Sequence, residues 1–316
     1  MPDVAPDPGL TSASVSGAGA GAGAGADATG AARPDGSGIC AVVLAAGEGR
    51  RLRPLTRHTP KALCPVGNVP LLDRALAAVA SLGFVGADAV AVNAWYGSDQ
   101  IVRAVDSRAH VSVETGDAPL GSAGGLGALN GWIAGRHVLV GNADAYLDGG
   151  DLTPLLDEWA ADHVRILGVP AGHRRAEFGP YRFAGFSLLP AGRVAALAAE
   201  TADLVRAVWR PAETVGELRV VDYGGTYIDS GTAADYLAAN LHEARHAAGG
   251  SLVDETASVS GSASHSVIGA GAVVYGAIDR TVVWPGCVVA VGERLTDAIR
   301  YGDGETVHAG ATPPTG

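Results

Sequence analysis

Lys61 is the only lysine in a chain of 316 residues; every other basic residue is an arginine. It lies in the stretch 44–65, L-A-A-G-E-G-R-R-L-R-P-L-T-R-H-T-P-K-A-L-C-P, which also carries Arg50, Arg51, Arg53 and Arg57. An ammonium is a compact point charge, whereas a guanidinium is a wide planar fork. One lysine kept where arginine serves everywhere else points to a crowded site around a single anionic oxygen. The plainer alternative is a composition that has nearly eliminated lysine, and the neighbouring residues decide between the two. The glycines of G-E-G-R-R-L-R-P let backbone N–H groups close on a phosphate or a base. The loop is not a dinucleotide fingerprint, because Leu52 stands where a third glycine is needed, and no G-K-[ST] marks a P-loop. Taken alone, Gly-Glu-Gly reads as an ordinary tight turn with solvated arginines. Two aspartates, Asp144 and Asp229, each end an apolar run further along the chain. Singly, each aspartate reads as a turn residue or a helix cap.

The elements that must carry these residues alternate. The run 39–45 (I-C-A-V-V-L-A) is continuously apolar, which suits a strand buried on both faces. Pro70 opens a helical pattern with Leu72, Leu76 and Val79 on one stripe and Gly83 as its stop. Strands are expected at 88–93, 111–114, 137–141, 164–169, 181–189 and 223–232. Helices are expected after Ser98, which can act as their cap, and at 124–133, 153–161 and 233–247. Strand and helix in alternation mean an α/β fold: a mostly parallel sheet with helices on both faces. Such sheets hold ligands at the carboxyl ends of their strands, where the arginine loop and Asp144 both lie. Beyond the hinge 249–251, apolar pairs recur at 267–268, 273–274, 282–283 and 288–289. The six-residue spacing within each half of that series points to turns of a β-helix.

Composition narrows the classes. A net charge of −11 argues against a general nucleic-acid binder and requires positive charge to be gathered locally, as the loop 50–61 does. Cys40, Cys64 and Cys287 are far apart, with no C-x-x-C, which fits reduced thiols in a cytoplasmic protein. No apolar run is long enough to span a membrane, and no signal peptide is expected. Residues 1–37 are a Gly/Ala/Ser-rich leader, read as disordered and without chemistry. The expected divisions are 1–37 (leader), 38–248 (main domain) and 249–316 (short β-helix and tail).

The full pattern L-A-A-G-E-G-R-R-L-R-P-L-T-x-x-x-P-K-A-L-x-P-V resembles the signature of the sugar-1-phosphate nucleotidyltransferases. The likeness continues through V-N-A-W-Y-G-S-D-Q-I (92–101), L-G-S-A-G-G-L (120–126), V-L-V-G-N-A-D (138–144), F-A-G-F-S-L-L (183–189) and Y-I-D-S-G-T-A-A-D-Y-L-A-A-N (227–240). The resemblance implies a Rossmann-like, GT-A-like nucleotidyltransferase fold followed by a short left-handed β-helix. It implies that an NTP and a sugar 1-phosphate react with Mg²⁺ to give an NDP-sugar and pyrophosphate. In look the chain is most similar to mannose-1-phosphate guanylyltransferases and N-acetylmuramate-1-phosphate uridylyltransferases. By the same resemblance, Leu44, Ala45, Ala46, Gly47, Gly49, Arg51, Gly121 and Gly124 attend the nucleotide, and Asn142 and Gly185 the sugar. Arg51, Lys61, Asp144 and Asp229 are the catalytic set, with the two aspartates as metal ligands. A homo-oligomer through the β-helix is the partner expectation.

Departures leave alternatives open. Arg50 replaces a usual threonine or serine, Ala143 a usual glycine, and no E-K-P segment follows Val169. A UDP- or dTDP-sugar-forming member, or a regulatory relative that binds NDP-sugars without turnover, are the alternatives. His242-Glu243-Ala244-Arg245-His246 matches H-E-x-x-H, the zinc-peptidase pattern. With no strand or third ligand evident beside it, it is read as a solvated helix end.

Overall fold

The computed structural model describes residues 38–302 and 304–309, so the leader expected at 1–37 lies outside the described residues. The chain runs β1 (Ile39–Leu44), a small hairpin of β2 (Pro65–Val66) and β3 (Val69–Pro70), and α1 (Leu71–Ser81). It continues through β4 (Val90–Ala94), α2 (Ser98–Val105), β5 (His110–Val113), α3 (Gly121–Ala128) and α4 (Asn130–Ile133). Next come β6 (His137–Asn142), β7 (Ala145–Asp148), β8 (Val164–Pro170), β9 (Tyr181–Leu189), α5 (Ala191–Ala195) and α6 (Arg210–Thr214). The main body closes with β10 (Leu218–Asp222), β11 (Thr226–Asp229) and α7 (Ala233–His246).

Seven strands form the central sheet in the order β10-β8-β9-β6-β1-β4-β5. All neighbours are parallel except β9, which runs antiparallel between β6 and β8. Successive side chains of a strand face opposite sides, and β1 shows what this requires of the sequence. Ala41 and Val43 join one core with Leu72, Leu76 and Val79 of α1 and Ile101 of α2. Cys40 and Val42 join the opposite core with Leu126 of α3 and Trp209. A strand packed on both faces has no polar side to offer, so its sequence is apolar throughout. Outside the sheet, β7 and β11 pair antiparallel as a separate ribbon.

Two local expectations are corrected. Gly97, at a left-handed φ of 59°, begins α2, so Ser98 lies inside the first turn and is not its cap. The helix expected at 153–161 is only a three-residue 3₁₀ turn, Thr153–Leu155. Glu158 and Ala161 adopt positive φ, which no continuing helix permits, yet Leu155, Leu156 and Trp159 still reach the core.

After α7 come β12 (Leu252–Val253), β13 (Ser258–Val259), β14 (Ser262–Ser264), β15 (Val267–Ile268) and β16 (Val273–Val274). Then follow β17 (Ala277–Val283), β18 (Val288–Val289), β19 (Arg294–Tyr301) and β20 (Glu305–His308). Parallel pairing of Leu252 with Val267 and of Val267 with Val282 stacks the strands in rungs, with the apolar pairs above one another. A second face repeats this from Ser258 through Val273 to Val288. The stack is closed by β20, antiparallel to β19.

Helix α7 joins the two parts. Its Tyr236, Leu237 and Ala239 share a core with Val267, Val282, Trp284 and Ile299 of the rungs. The Trp284 indole N–H donates to the Tyr236 hydroxyl at 3.0 Å, and that hydroxyl donates to the Pro65 carbonyl. Burial pushes the Tyr236 phenol well above its ordinary value. Asn68 donates to the Ile268 carbonyl at 3.0 Å. Trp284→Ala would leave a void and remove the bond that the buried Tyr236 hydroxyl accepts, leaving only the one it donates to Pro65. We expect it to cost about 3–5 kcal/mol, seen as a lower urea midpoint at unchanged slope.

Candidate active site

Parallel register brings three strand ends level: Leu44 of β1 lies opposite Asn93 of β4 on one side and Asn142 of β6 on the other. Above them opens a cavity of about 240 Å³. Leu44, Ala45, Ala46, Gly47 and Gly121, all expected at the nucleotide, line it together with Asn142, Lys61 and Asp144. Three expected glycines, Gly49, Gly124 and Gly185, do not line it and meet packing needs instead. A Cβ on Gly124 would lie 2.1 Å from the Glu200 carbonyl oxygen, so its bare backbone is needed where α3 meets segment 198–202. Gly185, also at positive φ, lets β9 approach β7; a Cβ there would lie 2.4 Å from that of Ala145, the neighbour of Asp144.

Lys61 is placed from behind. Gly49 has φ +62°, and a Cβ on it would stand 2.9 Å from the Lys61 Cβ. Any larger residue would be strained and would push the lysine stem away. The Thr56 hydroxyl donates to the Gly49 carbonyl at 2.9 Å, fixing that turn. Lys61 is only 6% exposed, yet its ammonium reaches the cavity.

The ammonium is held between the two aspartates. Nζ lies 2.6 Å from Asp144 Oδ2 and 3.7 Å from Asp229 Oδ1. Arg51 Nη2 approaches the same Asp229 carboxylate at 3.6 Å. The β7–β11 ribbon explains the convergence, because Asp229 pairs with Ala145, the residue after Asp144. The catalytic set expected from sequence is thus gathered at one place. Of the other loop arginines, Arg50 and Arg53 both bind Glu48, whereas Arg51 is turned to Asp229. Burial and the Asp229 and Asp144 charges push the Tyr227 phenol up, so it remains a neutral neighbour. Ala143 is accommodated: its methyl packs into the core and its N–H donates to the Leu44 carbonyl at 3.0 Å.

Sequence reasoning missed a polar relay beneath the cavity. The Asn93 Oδ1 accepts from the Ala45 N–H at 2.8 Å, and its Nδ2 donates to Glu114 Oε1 at 2.7 Å. The other Glu114 oxygen accepts from the Leu120 N–H at 2.8 Å. Both side chains are buried. The relay therefore fixes the glycine-rich loop and the loop before α3 to each other. A signal was present: Asn93 is a polar residue next to last in the otherwise apolar β4, and Glu114 directly follows β5.

The thiols have no part here. All three cysteines are buried, and burial pushes Cys40 up to about 11 and Cys64 up to about 12.

The reading of H-E-x-x-H as a solvated helix end is corrected. Strand β7 brings Asp148 to 2.9 Å from His242 Nε2, so a strand and a third ligating group do stand beside it. Glu243, however, accepts from the Tyr146 hydroxyl at 2.7 Å and pairs with Arg74 at 2.8 Å. It is therefore not free to serve as a peptidase's base.

Residues 41–225 match the family model of the MobA-like NTP transferase domain. The chain belongs to that family. It is 32% identical over 123 residues to mannose-1-phosphate guanylyltransferase of Mycobacterium tuberculosis, covering 37% of this chain and 33% of that protein. It is 35% identical over 113 residues to N-acetylmuramate alpha-1-phosphate uridylyltransferase of Neisseria meningitidis serogroup B, covering 34% of this chain and 48% of that one. The chain thus spans a third to a half of these curated relatives. A Bacillus anthracis crystal structure described as a glucose-1-phosphate thymidylyltransferase with sucrose shares the fold. The TM-score is 0.56 at 16% identity, over 66% of this chain and 96% of that one. The α/β nucleotidyltransferase fold is therefore established for this family member. No helix among the described residues is long and apolar enough to cross a membrane.

The relay gives a test. Glu114→Ala leaves the Leu120 N–H and the Asn93 amide unpaired. We expect a loss of about 2–3 kcal/mol in urea unfolding and weaker nucleotide binding by titration calorimetry.

Proposed function

We propose that this chain transfers a nucleotidyl group from an NTP to a sugar 1-phosphate, giving an NDP-sugar and pyrophosphate. One observation carries the reading: Lys61, Arg51 and two carboxylates converge at the rim of a glycine-lined cavity at the strand ends. Displacement at the α-phosphorus asks little covalent work of a protein. It asks for alignment and for positive charge where negative charge develops. A phosphate oxygen of the sugar attacks the α-phosphorus, the bond to the bridging β-phosphate oxygen breaks, and pyrophosphate leaves. The sugar phosphate is already anionic, so no side chain need remove a proton from it.

The residues divide this work. Backbone of the loop 44–47 and Gly121 cradles the nucleotide. The exposed Arg51 binds the triphosphate and the departing pyrophosphate. Lys61, whose stem cannot move freely behind Gly49, offers its ammonium to the oxygens of the reacting phosphorus. Asn142 is our candidate for the sugar side, and Gly185 supports Asp144 from beneath. Arg182, stacked 5.8 Å from the ring of Tyr227, adds positive charge two residues from Asp229 on the same strand face.

Enzymes of this family generally use a divalent metal, and the donor set fits one: two partly exposed carboxylates from separate segments, beside a phosphate site. We assign Asp144 and Asp229 as its holders and magnesium as the ion, which when bound would neutralise phosphate charge. GTP with mannose 1-phosphate is the first substrate pair to try, and UTP with N-acetylmuramate 1-phosphate the second, following the two curated relatives.

We further propose a boundary between 248 and 249 and a left-handed sense for the C-terminal coil. Corners at Gly250, His265, Arg280 and Asp297, all at positive φ, recur rung by rung and support a regular helix of strands. Its exposed Tyr275 and Val288 support a homo-oligomer through the coil.

The test is pyrophosphate release from four NTPs against several sugar 1-phosphates, with Mg²⁺ and with EDTA. We expect one pair to turn over, release to stop in EDTA, and Lys61→Ala and Asp144→Asn each to fall at least about a hundredfold. Tight NDP-sugar binding without release from any pair would contradict catalysis and support a regulatory relative.

A further inference from the structure

We propose that Asp148, His242 and His246 form a second metal site, for one divalent ion of the zinc class, separate from the carboxylate pair at Lys61. The three residues come from two elements. Asp148 ends β7, and the histidines lie one turn apart on the last turns of α7. Spacing of i and i+4 puts both rings on one helix face. Their ligating atoms and the Asp148 oxygen all lie within 4.8 Å of one another. His242 Nε2 is 2.9 Å from Asp148 Oδ2, and His246 Nδ1 is 3.9 Å from the same oxygen. Tetrahedral bonds of roughly 2.0–2.1 Å separate neighbouring ligands by about 3.3 Å. The two observed separations bracket that value, so modest side-chain rotation closes the site. A His242–Asp148 hydrogen bond and the edge-on packing of the two rings, 4.9 Å between centroids, already set the three groups around one point.

The donor set selects the ion. Two imidazole nitrogens and one carboxylate oxygen suit zinc and its neighbours, whereas magnesium favours oxygen alone. His246 is mostly exposed, which leaves a path for entry and a position for water. Glu243, held by Tyr146 and Arg74, cannot activate that water, so the site binds without hydrolysing.

Its place suggests its effect. The ribbon pairs Asp229 with Ala145 at one end and Thr226 with Asp148 at the other. The proposed ion would therefore fasten α7 to the ribbon that presents Asp144 and Asp229, with Asp229 three residues or roughly 10 Å along it. It would be a tie for the catalytic ribbon, and its existence does not depend on the reaction proposed above.

The test uses the full chain, stripped with chelator and titrated with zinc in excess magnesium against a chromophoric zinc chelator. We expect one zinc per chain, with unfolding temperature raised by zinc. His246→Ala, at an exposed position, should weaken uptake at least about tenfold, since even outer-shell changes cost that much. Asp148→Asn should do the same, while Asp144→Asn should keep zinc. Cobalt in place of zinc should give visible bands of low coordination number that vanish in His246→Ala. No stoichiometric uptake, or uptake that survives both His246→Ala and Asp148→Asn, or uptake lost in Asp144→Asn alone, would overturn the proposal.

Discussion

A buried ammonium held between two carboxylates is the constraint on which the rest of the molecule turns. Lys61 is nearly closed off from solvent, and an unpaired charge there would be costly to bury. Asp144 and Asp229 relieve that cost, and Lys61 in turn relieves the repulsion between them. The contact spans distant parts of the chain, so it forms only when the fold is complete. In the reaction proposed above, an incoming triphosphate would offer the same ammonium a different set of oxygens, so that the contact would exchange partners.

Each layer of structure serves that exchange. Parallel register levels the ends of β1, β4 and β6, so the cavity floor is built from backbone and small side chains. The ribbon of β7 and β11 carries both aspartates and is backed by Gly185, whose missing side chain allows the close approach. Helix α7 follows β11 directly and is buried between the sheet domain and the parallel rungs. Its Tyr236 sits under Trp284 and above Pro65, so the C-terminal coil bears on the same segment that leads from Lys61 into α1. The Asn93–Glu114 relay holds the glycine-rich loop on one side of the cavity, and the Asp–Lys contacts hold the other side.

Much of this was legible in the residues. Alternation of apolar runs and amphipathic stretches gave the α/β sheet, because a strand buried on both faces has a distinctive composition. The lone lysine, the glycine loop and the two aspartates pointed to one edge of the sheet, and the fold brings Lys61 within ion-pair distance of both aspartates. What stayed hidden depends on contacts distant in sequence. Gly124 was assigned to the nucleotide by resemblance alone, and only the fold shows that close packing against segment 198–202 also requires a glycine there. Asn93 and Glu114 became meaningful only when the register brought them together. The same limit applied to His242 and His246, since nothing near them in sequence announces Asp148. The missing helix at 153–161 has apolar residues at helical spacing, and only its two positive-φ residues break it.

The central claim is that Lys61 and Asp144 act as one unit on the reacting phosphate. A double-mutant cycle on kcat/KM for pyrophosphate release, with Lys61→Ala, Asp144→Asn and both together, tests it most directly. Residues that act as a unit lose their effect together, so the double variant should be within about tenfold of the slower single variant. Losses that multiply, leaving the double variant slower by the product of the two single effects, would contradict the account.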